Sequence, residues 1–175
     1  MNPRASFINR IIEEKKYRSY LEIGCANCET FNAIVCEHKI PVDPKLNFTS
    51  DEFFKYNCGR FDIVFVDGLH LAEQAERDIL NSLDILNDGG TIVVHDTNPL
   101  KEEWTLEKKI SDVWTGDVWK AIYHLRKRDD LTFSTYMDHF GLTVIRRGSS
   151  VPINLSSKYM NFSFFEKNRE IILNS

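Results

Sequence analysis

The sequence predicts an α/β fold: a mostly parallel sheet wrapped by helices and finished by an antiparallel hairpin. Three observations carry this. FDIVFVDGLH (61–70) and TIVVHDTNP (91–99) are β-branched, apolar runs that stop abruptly at acids and histidines, as strands buried on both faces of a parallel sheet do. Between them Ala72, Ala75, Ile79, Leu83 and Leu86 recur at helical spacing. Residues 131–137 and 142–145 then read as a strand pair turning around Asp138 to Gly141. Ligands in open α/β sheets sit beyond the carboxyl ends of the strands. If the two apolar runs are neighbours, Asp67, His70, His95 and Asp96 converge on one sheet edge.

Taken in order, residues 5–17 place Ala5, Ile8, Ile11 and Ile12 on one stripe among charges, an amphipathic helix that packs across the sheet. YLEIG (20–24) is a short strand ended by glycine, and CANCETF leads a helical stretch to about Glu37. KIPVD (39–43) is the next strand. TSDEFFKY (49–56) opens a helix with Thr49 or Ser50 as cap and acids in its first turn. The strand 61–66, the helix 71–86, the turn 87–90 and the strand 91–95 make a βαβ unit. Residues 97–116 hold Trp104 and Trp114 and few period signals, a long loop of the kind that often forms a lid. Asp117 caps a helix bearing Val118, Ile122 and Leu125, whose end at Arg126, Lys127 and Arg128 reads as a solvated last turn. Residues 149–157 are polar linker, and 161–173 form a helix with Phe162, Phe165 and Ile172 inward.

Composition narrows the function. The 175 residues, 42% apolar and 27% charged, fit one domain spanning 1–175 with a full core. A net charge of −4 without a cationic block argues against nucleic acid as a partner. No run reaches the ~20 apolar residues of a membrane span, and MNPRASFINR lacks the apolar core of a signal peptide. The expectation is a cytoplasmic protein with reduced cysteines, acting away from membranes and nucleic acid.

The order of elements resembles that of a class I S-adenosylmethionine-dependent methyltransferase with a Rossmann-like, doubly wound sheet. YLEIGCANCETF is similar to the cofactor loop after the first strand, VDP to the acid after the second, FDIVFVDGLH to the fourth-strand motif and LNDGGTIVVHDTNP to the fifth. GDVWKAIYHLR and GLTVIRRG also resemble methyltransferase family 24, whose members often accompany glycosyltransferases, and more distantly the metal-dependent macrolide-sugar O-methyltransferases. Two departures stand out. Cys28 replaces the usual second glycine of the cofactor loop, and only five residues separate Asp43 from Thr49, so the third, edge strand is expected to be reduced or missing.

The resemblance implies S-adenosylmethionine contacts at Glu22, Gly24, Cys25, Asp43, Ser50 and Asp67, with Asp43 accepting from the ribose hydroxyls. It implies a divalent cation, Mg2+ or Mn2+, at Asp67, His95 and Asp96, and His70 as the catalytic base removing a hydroxyl proton from a small-molecule or glycan acceptor. An imidazole suits that work because it titrates near neutrality. Each residue also has a plainer reading. Asp43 begins an Asp-Pro turn, Glu22 is a structural hydrogen-bond partner, His95 orients Asp96, Asp96 caps the next loop, and His70 caps or packs. His38, His124 and His139 lack such a context and are read as structural. The aromatic rings of Trp104, Trp114 and Trp119 offer an acceptor wall, although core packing explains Trp119 equally. Cys25 and Cys28 form CxxC between strand and helix, which opens a thiol oxidoreductase reading or, with Cys36 and His38, zinc. A degenerate fold that binds a nucleotide or partner without chemistry is the non-enzymatic alternative.

Overall fold

In the computed structural model, which describes residues 2–175, one sheet is built from β1 (Ser19–Ile23), β2 (His38–Val42), β3 (Phe61–Val66), β4 (Leu86–His95), β5 (Leu131–Tyr136) and β6 (Leu142–Arg147). Their order across the sheet is β2-β1-β3-β4-β6-β5. The first four strands run parallel, and β6 lies antiparallel to both β4 and β5. The expected missing edge strand is confirmed: beyond β2 the chain makes only a turn, with Leu46 N–H bonded to the Asp43 carbonyl, before the next helix. Because the chain passes from β1 outward to β2 and returns to β3 on the other side, the crevice between β1 and β3 is the switch point at which such sheets bind ligands.

The helices are α1 (Pro3–Lys15), α2 (Glu29–Ala33), α3 (Ser50–Tyr56), α4 (Ala72–Asp84), α5 (Trp119–Leu125) and α6 (Phe162–Leu173), with a 3-10 turn at Glu102–Thr105. Successive strand residues face opposite ways, so each strand feeds two cores. Ile63, Phe65 and Val93 meet the Ala5, Ile8, Ile11 and Ile12 stripe of α1. Val64, Val66, Ile92 and Val94 meet α4, α5 and α6 through Ile79, Leu83, Trp119, Ile122 and Phe165. The expected start of α3 is present as a capping box in which Thr49 and Glu52 exchange bonds.

Four local expectations are corrected. Residues 87–90 are a bulge within β4 rather than a turn before it: pairing jumps from Phe61–Leu86 to Ile63–Thr91. The bulge is tight, since a Cβ on Gly90 would stand 2.8 Å from the Asp62 carbonyl. Helix α2 ends at Ala33, short of Glu37, where Lys39 Nζ takes up the Phe31 and Ile34 carbonyls. Asp117 does not cap its own helix. Its carboxylate accepts from Ala72 N–H (2.7 Å) at the start of α4 and from Lys120 Nζ (2.9 Å), tying the long loop to the helix below the site.

Arg126 is not solvated. It is buried, packs over Phe133 and donates to the Ile171 carbonyl and, at 2.8 Å, to the Asn174 carbonyl, satisfying the C-terminal end of α6. Replacing it strands those carbonyls. Arg126→Met is expected to lower stability by about 2 kcal/mol in urea unfolding, while Lys127→Met, on the exposed neighbour, shifts it by less than about 0.5 kcal/mol. Equal effects of the two would refute the capping role.

Candidate active site

The ends of β1, β2, β3 and β4 open into one cavity of about 810 Å³. Its floor at β1 is Gly24, with φ +86°, where an added Cβ would lie 2.2 Å from the Asp67 carbonyl oxygen. Only glycine fits there. The loop continues through Ala26 (φ 48°) and Cys28 (φ 60°), both left-handed. Cys28 thus holds the conformation that a glycine would adopt without strain, and the turn survives the substitution. At the end of β2 the buried Asp43 carboxylate accepts from Ala26 N–H at 2.8 Å and from Lys45 N–H at 2.9 Å. Both readings of this acid are therefore visible: it begins a turn, and it also binds the β1 loop while lining the cavity.

Beside it, Asp67, His95 and Asp96 meet as the strand pattern anticipates. One atom from each lies within 4.8 Å of the others. His95 Nε2 donates to the His139 carbonyl at 2.9 Å, while Nδ1 stands 3.0 Å from Asp67 Oδ1 and 3.3 Å from Asp96 Oδ2. Burial disfavours a charged imidazole here, but the two carboxylates outweigh it and raise the His95 pKa. Burial likewise acts to raise Asp67, yet His95 and then Arg4 and His70 hold its carboxyl below the ordinary range. Arg4 Nη1 reaches Asp67 Oδ2 at 2.8 Å from α1. Asp96 itself sits at φ 61°, an uncommon conformation outside glycine that marks a constrained position.

His70 follows β3 on a short loop and lines the same cavity. Its Nδ1 lies 2.8 Å from the Trp114 carbonyl and 3.3 Å from Asp96 Oδ2, partners that assign the hydrogen to Nδ1. Nε2 is left as an acceptor, 3.9 Å from Asp67 Oδ1. The Trp114 indole stacks on the imidazole with centroids 4.9 Å apart. The long loop is held there by Gly116, where a Cβ would come within 1.7 Å of the His70 carbonyl oxygen.

Of the other expected residues, Ser50 lines the cavity and accepts from Gln74 Nε2. Glu22 and Cys25 do not line it. Glu22 is buried behind the loop with Tyr20 Oη donating to its carboxylate, the structural role. Cys25 is buried with Sγ 3.0 Å from Cys28 Sγ, and burial pushes its thiol up to about 12. Trp119 is core and Trp104 packs edge-on against Phe140, itself a lining residue. The sequence reading missed Arg4 and Asp78. Asp78 carried a signal: it falls on the apolar stripe of α4, three residues after Ala75, and is buried with Ser82. Arg4 carried none, because its partner is 63 residues away.

Residues 11–97 match a family model described as a methyltransferase domain. The chain belongs to this methyltransferase family. The methyltransferase shares its fold with SAH-bound PaMTH1 of Podospora anserina (17% identity, TM-score 0.61, covering 83% of this chain and 78% of that one). The O-methyltransferase from Bacillus cereus in complex with SAH aligns at 9% identity and TM-score 0.58, covering 83% and 80%. TomG of Streptomyces achromogenes, an O-methyltransferase involved in tomaymycin synthesis and solved with SAM, aligns at 14% and 0.59, covering 84% and 80%. At these identities the likeness is one of fold. No curated protein sequence matches the methyltransferase. None of its helices is long and apolar enough to cross a membrane, among the described residues.

Glu22 gives the site a measurable pH signature. Burial, opposed by the Tyr20 hydrogen bond, raises its carboxyl from 4.5 to about 7. Over that window the folded methyltransferase binds more protons than the unfolded chain, so this group makes stability fall as pH rises. The loss amounts to something on the order of 3 kcal/mol once pH exceeds 7. Glu22→Gln should therefore gain on the parent by that amount between about pH 4 and pH 8, read from urea midpoints. Parallel pH profiles for the two proteins would overturn the assignment.

Proposed function

We propose that the protein transfers a methyl group from S-adenosylmethionine to a hydroxyl of a sugar or another small hydroxylated acceptor. The observation that carries this is the meeting, in one cavity, of the Gly24 and Asp43 cradle with His70, whose Nε2 lies 3.9 Å from the half-buried Asp67 and whose Nδ1 lies 3.3 Å from the buried Asp96. The residues fit the cofactor. Gly24 leaves room that any side chain would fill, and the remaining lone pairs of Asp43 can accept from ribose hydroxyls. The acids Asp43, Asp67 and Asp96 suit a ligand bearing positive charge. When bound, S-adenosylmethionine supplies a sulfonium methyl group open to in-line attack by an oxygen nucleophile.

The chain's own residues then have distinct work. His70 Nε2 accepts the proton of the acceptor hydroxyl, with Nδ1–H held by the Trp114 carbonyl so that the ring keeps its orientation. Trp114, stacked on His70, and Phe140 wall the cavity on the acceptor side, shielding it from water and offering flat faces to a sugar ring. Much of the acceleration comes from alignment of the two reactants.

A divalent cation fits the Asp67, His95 and Asp96 donors, because His95 fixes Nε2–H on a carbonyl and aims Nδ1 between two carboxylates, the arrangement of a ligating histidine. Such a cation would lower the pKa of a bound hydroxyl. An oxygen-rich set with one imidazole suits Mn2+ better than Mg2+. The oxidoreductase alternative is disfavoured, since a nucleophilic thiol needs a lowered pKa and Cys25 is buried with a raised one. The same reading places the protein in the cytoplasm, where its four free thiols stay reduced.

Calorimetric titration with S-adenosylhomocysteine tests the proposal. Micromolar binding is expected, weakened about 10- to 100-fold by Asp43→Ala. His70→Ala should leave that affinity in place and reduce methyl transfer by roughly 100- to 10,000-fold. Asp96→Asn should abolish any stimulation of transfer by Mn2+. Absence of cofactor binding in the parent protein would refute the methyltransferase reading and favour a degenerate fold.

A further inference from the structure

We propose that Arg4 is a cofactor-binding residue: its guanidinium receives the carboxylate of the cofactor's amino-acid end, which makes α1 part of the site. The inference rests on the methyltransferase reading and adds a recognition element that no strand motif supplies.

Arg4 lines the cavity from the first turn of α1. One nitrogen, Nη1, is fixed on Asp67 Oδ2 at 2.8 Å, and the side chain keeps 32% of its surface exposed. Its Nε and Nη2 make no hydrogen bond among the described residues. The group is therefore anchored at one corner and open at the rest. A guanidinium presents its N–H groups as a planar fork that matches a carboxylate with two parallel bonds.

Charge makes the assignment specific. Asp43, Asp51, Asp67, Asp78, Asp96 and Asp112 all line the cavity, so an incoming carboxylate is repelled wherever no cation meets it. His95 has both ring nitrogens committed to the His139 carbonyl and the two acids, which leaves two cationic side chains in the lining with donors to offer, Arg4 and Lys45. Lys45 follows Asp43 at the far edge, where its own N–H bonds that acid. The β1–β3 half of the cavity, beside Gly24 and Asp67, is served by Arg4. With ribose hydroxyls at Asp43, the amino-acid end of the cofactor lies in this half.

The position is preorganised. The Asn2 side chain accepts from Ala5 N–H at 3.1 Å, capping α1, and donates to Thr30 Oγ1 at 3.1 Å in α2, the helix that follows the Gly24 loop. Arg4 is thus held against the loop rather than waving from a free terminus.

The test compares two ligands by calorimetry on the intact protein: S-adenosylhomocysteine, and 5′-methylthioadenosine, which lacks the amino-acid carboxylate. Arg4→Met keeps the aliphatic stem and removes the fork. It is expected to weaken S-adenosylhomocysteine about 10- to 100-fold, to change methylthioadenosine less than about twofold, and to be partly rescued by Arg4→Lys. Equal weakening of both ligands would assign Arg4 a structural role and overturn the proposal, as would no change in either. A parent protein that binds neither ligand would overturn the methyltransferase reading itself, and the inference with it.

Discussion

Two carboxylates, the buried Asp96 and the largely covered Asp67, stand at the ends of adjacent strands, and an uncompensated pair of such negative charges is costly enough to unfold a small domain. The neighbourhood is organised around supplying positive charge to them. His95 stands between the two, protonated by their combined field against the effect of burial. Arg4 crosses from α1 to the outer oxygen of Asp67. The turn between β5 and β6 brings the His139 carbonyl to His95 Nε2, which sets the ring so that Nδ1 faces the acids. Helix, sheet and hairpin therefore depend on one electrostatic arrangement. The position between the carboxylates holds a proton in this form.

The second constraint is steric. Where β1 ends, the backbone of Gly24 runs against Asp67 and Gly68 so closely that no Cβ is possible. Gly116 does the same against His70, and Gly141 against Asn98, where a Cβ would lie 2.6 Å from the backbone nitrogen. These contacts join three segments far apart in sequence: the loop after β1, the long loop 97–116 and the hairpin turn. Two of them bear directly on residues that line the cavity, Gly24 and His70. The long loop is further tied by Asp117 to the first turn of α4, so it stands on the same helix that follows His70.

The cysteines show how local chemistry overrides a motif. CxxC between strand and helix is a redox pattern only where one thiol is exposed and acidic. Here Cys25 is sealed under the loop and Cys28 serves as a left-handed turn residue. The two sulfurs touch as reduced thiols at 3.0 Å, and the pattern is spent on shaping the cradle.

Much of the fold was legible because it is written in short-range periodicity. The continuous apolar run 61–66, buried on both faces, the four-residue rhythm of α4 and the apolar stripe of α1 follow from backbone geometry, which any segment reveals without its partners. The same holds for the convergence of Asp67, His70, His95 and Asp96, since parallel neighbours must end at one edge, and for the missing strand, since five residues cannot form it. The sequence by itself determined the sheet, its faces and the edge at which the cavity opens. Only tertiary structure decided which side chains meet there: Arg4 on Asp67, the His139 carbonyl on His95, Asp117 on α4, Arg126 on α6, and the withdrawal of Glu22 and Cys25 from the cavity. Those pairings join residues tens of positions apart, and periodicity encodes which face a residue takes but not which partner the folded chain brings to it.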